Sequence, residues 1–244
     1  MKKLLALLLT VVCLFSVFTI SAGAAKTETE TCSVMNDTAN FIFDGGSGEV
    51  TVTPATLHVD DQDKDIYVAA AMGMCMKLKK ANNLPASILA ACNIKTRYYR
   101  IVKAAITDNV PEGSTLLLLG HSLGGIIMQQ IMCDPDITSA YDIYGAITIG
   151  SPYVMTKKSR REGTLTRFAD TSDTVPKLGP GAIFSRKNHK NAIREDGGYK
   201  GDSDGAHNRS YRDADVWGKY DALGILDGES YFTYSPEDVI GIHT

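Results

Sequence analysis

Residues 114–125 read STLLLLGHSLGG, and this stretch narrows the possible folds more than any other in the chain. A short, unbroken apolar run such as Leu116, Leu117, Leu118 and Leu119, bounded by turn residues, fits a strand buried on both faces of a parallel sheet. The run stops at Gly120, and residues 125–132 then read as a helix that Pro135 closes off. Between strand and helix, Gly120, His121, Ser122, Leu123 and Gly124 spell G-x-S-x-G. This context sets a serine on a strained corner with its Oγ thrust outward above the sheet, where it serves as a nucleophile. Gly120 and Gly124 leave room where strand and helix cross closely, and the N–H of Leu123, opening the helix, is placed to donate to a developing oxyanion. In the competing reading Ser122 only caps the helix. The apolar strand before it and Gly125 after it favour the nucleophile.

The hexapeptide GHSLGG resembles the nucleophile motif of the class 3 lipases, the fungal-lipase-like branch of the α/β-hydrolases. The resemblance implies an α/β fold, a mostly parallel sheet with helices on both faces; with 44% hydrophobic residues a chain of this length can bury one core, so a single domain over residues 25–244 is expected. The resemblance also implies a serine hydrolase of carboxylic esters, acting on acyl glycerides or phospholipids without metal or organic cofactor. A serine hydroxyl needs a histidine to take its proton and a carboxylate to hold that histidine, and in α/β-hydrolases they follow the serine in the order acid, then histidine.

Downstream of the elbow, DIYGAITIG reads as a strand ending in Ser151 and Pro152, which completes a βαβ unit and resembles the family's Gly-Ser-Pro ending. Residues 164–169, TLTRFA, read as another strand running into Asp170, Thr171, Ser172, Asp173, Thr174, Val175 and Pro176. Catalytic groups in such sheets lie beyond the carboxyl ends of strands. Asp173, in a segment similar to the family's Asp-x-Val-Pro, is taken as the acid, with Asp170 as runner-up. Three histidines follow. His189 sits in a basic polar loop and His243 at the chain end. His207, between a glycine- and aspartate-rich loop and a run holding Tyr211, Val216, Trp217 and Tyr220, is the choice for general base. His121 precedes the acid in the chain and is read as shaping the turn.

The resemblance covers residues 114–220 and not the first third. There, Phe41 and Phe43, then Val50 and Val52, suggest two short strands separated by the glycine cluster 45–48. That cluster is read as a hairpin turn, with a loop of oxyanion donors as the alternative. The family's second oxyanion donor lies in an Arg-Gly-Thr or Arg-Gly-Ser motif; this sequence has no Arg-Gly pair, so the donor is unassigned. Asp60, Asp61, Asp63 and Asp65 read as a solvated turn rather than a calcium loop, and His58 as a surface residue. Residues 66–80, with Met72, Met74 and Met76, and residues 95–108, with Tyr98, Tyr99, Ile101, Val102 and Ala105, are expected to be helices.

Residues 1–24 read as a secretory signal peptide, with Lys2 and Lys3 before an apolar run and Ala22, Gly23 and Ala24 at the cleavage site, so the chain is expected to be exported, with no integral membrane segment left after cleavage. Without them 23 basic residues face 28 acidic ones, a balance that argues against nucleic acid as a partner. The expected partner is a lipid or other ester, with transient contact to a lipid surface. The basic cluster Lys157, Lys158, Arg160 and Arg161 is read as a solvated loop rather than a lipid-headgroup site. Cys32, Cys75, Cys92 and Cys133 permit two disulfides or remain free thiols. Two rival functions stand beside the lipase: a carbohydrate-ester esterase or acyltransferase with the same triad, and an inactive hydrolase fold that binds lipid or protein.

Overall fold

A computed structural model describes residues 28–44, 49–74, 81–154, 163–178 and 192–243. The signal segment, the glycine cluster 45–48, Cys75, the basic cluster 157–161 and His189 lie outside the described residues. Nine strands of the described residues form one mixed sheet. In chain order these are β1 (Glu30–Cys32), β2 (Val50–Val59), β3 (Gln62–Ala71), β4 (Thr115–His121), β5 (Asp142–Ile149), β6 (Thr164–Asp170), β7 (Ile193–Glu195), β8 (Tyr231–Tyr234) and β9 (Ile240–Ile242). They lie in the order β1-β8-β2-β3-β4-β5-β6-β7, with β9 also paired to β2. From β3 to β7 every pairing is parallel, whereas β1, β8, β2 and β9 add an antiparallel wing.

Every residue of β4 is buried. Leu116 and Leu118 face a core shared with helix α3 (Arg97–Asn109) and helix α4 (Leu123–Ile131), including Tyr98, Val102, Ile106, Ile126 and Ile127. Leu117 and Leu119 face the other core, with Phe41, Ile42, Trp217 and Tyr211, which belong to helix α1 (Met35–Asp44), helix α7 (Ala214–Trp217) and a 3₁₀ turn (Ser210–Arg212). Side chains alternate along a strand, so a leucine run with covered faces on both sides needs no polar position. The remaining helices are α2 (Leu84–Ala91), α5 (Pro135–Ala140) and α6 (Ser203–Asn208). Among the described residues no helix is long and apolar enough to cross a membrane.

Two expectations in the first third are corrected. Phe41 does not lie on a strand: Met35, Thr38, Ala39 and Ile42 fall three and four apart and pack one face of α1 against the sheet. Residues 66–71 are not helical. They belong to the second arm of a hairpin with two ten-residue arms, β2 against β3, closed at Asp60 and Asp61, which both take positive φ (49° and 59°). A two-residue turn of this hand matches the twist of its strands, and aspartate tolerates the left-handed region better than most residues. The run Ile66, Val68, Ala70 against Tyr67, Ala69, Ala71 suits either period. Pairing on one side with β2 and on the other with β4 decides for strand.

Candidate active site

The elbow between β4 and α4 is strained as expected: Ser122 has φ 54° and ψ −120°, a region that non-glycine residues rarely occupy. Its N–H donates to the carbonyl of Ile149 at the end of β5 (3.0 Å), which pins the corner to the neighbouring strand. Close approach of α4 to β3 demands a glycine, since a Cβ at Gly124 would lie 2.1 Å from the carbonyl oxygen of Ala71. Ser122 makes no capping bond to the helix it precedes. Its hydroxyl lies instead 3.0 Å from Nε2 of His207.

His207 sits on α6, a short helix rather than an open loop, capped by Asp202, whose side chain accepts from the N–H of Gly205 (2.8 Å). Nδ1 of His207 is 2.9 Å from Oδ2 of Asp173. A carboxylate only accepts, so Nδ1 carries the proton and Nε2 is left to accept from the Ser122 hydroxyl. Asp173 is fully buried, and its other oxygen accepts from the N–H of Val175 (2.8 Å). Oδ2 takes a second donor, the phenol of Tyr211, at 2.7 Å. Burial first, and then the Asp173 charge, push that phenol well above the ordinary tyrosine value, so it stays protonated and donates.

Ser122, Asp173 and His207 are thus brought together, with Leu123 at the first turn of α4 beside them. The runner-up Asp170, equally buried, is engaged elsewhere: it accepts from the N–H groups of Ser172 (2.7 Å) and Gly197 (3.0 Å) and from the Ser210 hydroxyl (2.5 Å). His243 is exposed near Glu49 (3.4 Å). His58 is more than a surface residue, since it bonds Asp63 (2.6 Å) and Thr233 (3.2 Å) and stacks on Tyr231. Cys32, Cys92 and Cys133 are free thiols; burial pushes that of Cys32 up to about 12.

Two neighbours of Ser122 and His207 carry no clear signal in the sequence. Tyr211 reads there only as an aromatic residue close to His207 in the chain. The loop at Met72, Gly73 and Met74, expected inside a helix, leaves the carboxyl end of β3 and runs against Ser122. Its carbonyls are turned from the site: that of Met72 accepts from the Tyr98 hydroxyl (3.1 Å), and that of Gly73 from the Asn82 amide (3.0 Å). Strand-like alternation followed by Met-Gly was the available signal.

Above Ser122 and His207 lies a cavity of about 830 Å³. Met72, Met74, Ile88, Leu123, Ile126 and Leu178 give it an apolar wall, and Ser203, Asp204 and Asn208 of α6 a polar corner. Ile88 and Leu178 are largely exposed at its rim.

No protein-family model matches the chain, and no curated protein matches it. Among solved structures, the Lip2 lipase from Yarrowia lipolytica matches at 12% identity over 63% of this chain and 79% of that one, with a TM-score of 0.29. The hydrogen sulfide-producing enzyme Fn1055 from Fusobacterium nucleatum matches at 12% identity over 62% of this chain and 41% of that one, with a TM-score of 0.17. Scores this low leave the functional argument to the geometry of the site.

Proposed function

We propose that the chain is an α/β-hydrolase that cleaves carboxylic esters with acyl lipids as its substrate class, and that it is exported. The observation that carries the reading is the unbroken line of hydrogen bonds from the Ser122 hydroxyl through both nitrogens of His207 to buried Asp173, opening on an apolar cavity. Ser122 Oγ attacks the ester carbonyl as Nε2 of His207 takes its proton, and Asp173 stabilises the imidazolium. The tetrahedral intermediate collapses, the ester C–O bond breaks, and His207 protonates the departing alcohol. Water then attacks the acyl-serine, giving its proton to His207, and the freed acid leaves Ser122 restored.

The oxyanion takes one donor from the Leu123 N–H. The second we assign to the N–H of Met74. In a trans peptide C=O and N–H point opposite ways, and the Gly73 carbonyl is held by Asn82, so the next N–H is turned away from Asn82. Met72, Gly73 and Met74 stand where the resemblance calls for Arg-Gly-Thr. The apolar wall suits an acyl chain, and the polar corner suits the alcohol portion.

A fluorophosphonate probe is expected to label wild type at Ser122, and Ser122→Ala to lose labelling together with turnover of p-nitrophenyl butyrate, a fall of about 10⁶-fold in kcat. Unlabelled wild type would return the chain to the inactive, binding-only class. A panel of acylglycerol, phospholipid and acetylated-sugar esters, with and without acceptor alcohol, separates the lipase from the esterase and acyltransferase.

A further inference from the structure

His121 immediately precedes Ser122 in the elbow motif and takes no part in the proton relay. It ends β4, is 3% exposed, and points its Nε2 at the main-chain carbonyl of His207, 3.0 Å away. A carbonyl only accepts, so Nε2 carries the hydrogen. The ring is enclosed on three sides. The imidazole of His207 lies 4.6 Å from it between ring centres, and Phe43 of α1 lies 4.4 Å from it. On the third side is Gly73, where a Cβ would stand 2.7 Å from Nδ1 and 3.0 Å from the Ser122 Cβ. The titratable and charged groups around it are His207 on α6, and Tyr211 and Arg212 on the 3₁₀ turn. Burial, with His207 and Arg212 adding to it, holds His121 well below the ordinary histidine value, so the ring stays neutral.

His207 has a base's task at a hydroxyl fixed on the corner after β4, yet it rides on a helix of six residues reached through a separate loop. Ser122 and Asp173 hold the two nitrogens of its ring; the bond from His121 holds its main chain. We propose that His121 is a positioning residue, whose Nε2–H bond to the His207 carbonyl ties α6 to the end of β4 so that base and nucleophile are referred to two adjacent residues, the last of the strand and the first of the corner after it. The inference rests on the ester-hydrolase reading above. Misplacing a reacting group by about 1 Å costs on the order of 10²-fold in rate, so the tie acts on the chemical step rather than on substrate binding.

The test compares His121→Phe, which keeps a ring for packing and loses the donor, with His121→Gln, whose amide N–H reaches about as far as Nε2. On p-nitrophenyl butyrate the Phe variant is expected to lose about tenfold or more in kcat at unchanged KM, and to slow fluorophosphonate labelling by the same factor. The Gln variant recovers most of both. The downfield proton resonance of the His207 Nδ1–H to Asp173 bond is sharp in wild type and the Gln variant, and broadened or lost in the Phe variant. Should the Phe variant not fold, as judged by circular dichroism, His121→Leu replaces it. A donor-less variant with wild-type kcat and labelling would overturn the inference, as would a Gln variant no better than it, or a loss confined to KM. Wild type and Ser122→Ala run alongside: a wild type that never labels sinks the hydrolase reading itself, whereas a labelled wild type beside an unimpaired His121→Phe sinks the positioning role alone.

Discussion

Asp173 accepts from the Val175 N–H, from His207 and from Tyr211, and each donor has a separable consequence. Asp173→Asn keeps the volume but can present an N–H to Nδ1, favouring the wrong tautomer of His207. Under the proposed mechanism kcat falls about 10⁴-fold, read with the same butyrate ester. Tyr211→Phe removes one donor from the carboxylate and the acceptor of the Asp170 N–H in a fully buried place. It should cost roughly 1–3 kcal/mol of stability in a urea titration, because buried polar groups are left unmatched. Ser122 is legible from its glycine corner, whereas Asp173 and His207 are legible only as candidates that the hydrolase resemblance favours over Asp170 and His189, residues of the same type. Tyr211 was legible only as an aromatic, since nothing in a sequence says which buried carboxylate a phenol will reach.

At the scale of elements, the parts read most clearly were those whose character is local. β4 and α4 follow from an apolar run, a glycine corner and an apolar helix, and α3 from helical spacing with Thr96 accepting the Tyr99 N–H at its start (3.2 Å). The hairpin is not legible because the apolar end of β3, Ile66 to Ala71, and the methionines just beyond it suit either period, and the position of the Met72–Met74 loop goes with it. Its turn offers a check. Asp60→Asn with Asp61→Gly places the residues best suited to two successive positive φ angles at a position that already adopts them. The double variant should be more stable by roughly 0.5–1 kcal/mol, seen as a higher urea midpoint at unchanged slope. No gain would mean that those two aspartates do not take the left-handed conformation.

Across the whole molecule, buried titratable groups close the stability profile at both ends of the pH range. His121 is held below its ordinary value of 6.5, so the unfolded chain binds a proton there first; its contribution is whole above pH 6.5 and is lost as pH falls below. Asp134, buried against Lys95, Tyr99 and Lys103, is depressed from 3.8, so its contribution is present above that pH and lost below it. Tyr98 and Tyr211 are raised above 10 by burial, so theirs is whole below pH 10 and lost as pH climbs past it. Urea midpoints measured from pH 4 to 11 should form a plateau between about 6.5 and 9, because buried Cys32, raised from 9.0, starts the alkaline fall that the two phenols extend. His121→Gln should flatten the fall just below 6.5 and leave the alkaline limb intact.

The chain by itself determined a buried central strand, the glycine corner that carries Ser122 and the order in which Ser122, Asp173 and His207 follow one another, because these depend on apolar periodicity, on glycine's missing Cβ and on the sequence itself. Tertiary structure decided the rest: that residues 66–71 pair as a strand between β2 and β4, that Asp173 rather than Asp170 meets His207, and that His121 reaches the carbonyl of a residue 86 positions away. Each is a choice among partners of equal chemical type. Two aspartates three residues apart carry the same carboxylate, and only the path of β6 and the turn beyond it turns one toward the imidazole and the other toward Gly197 and Ser210.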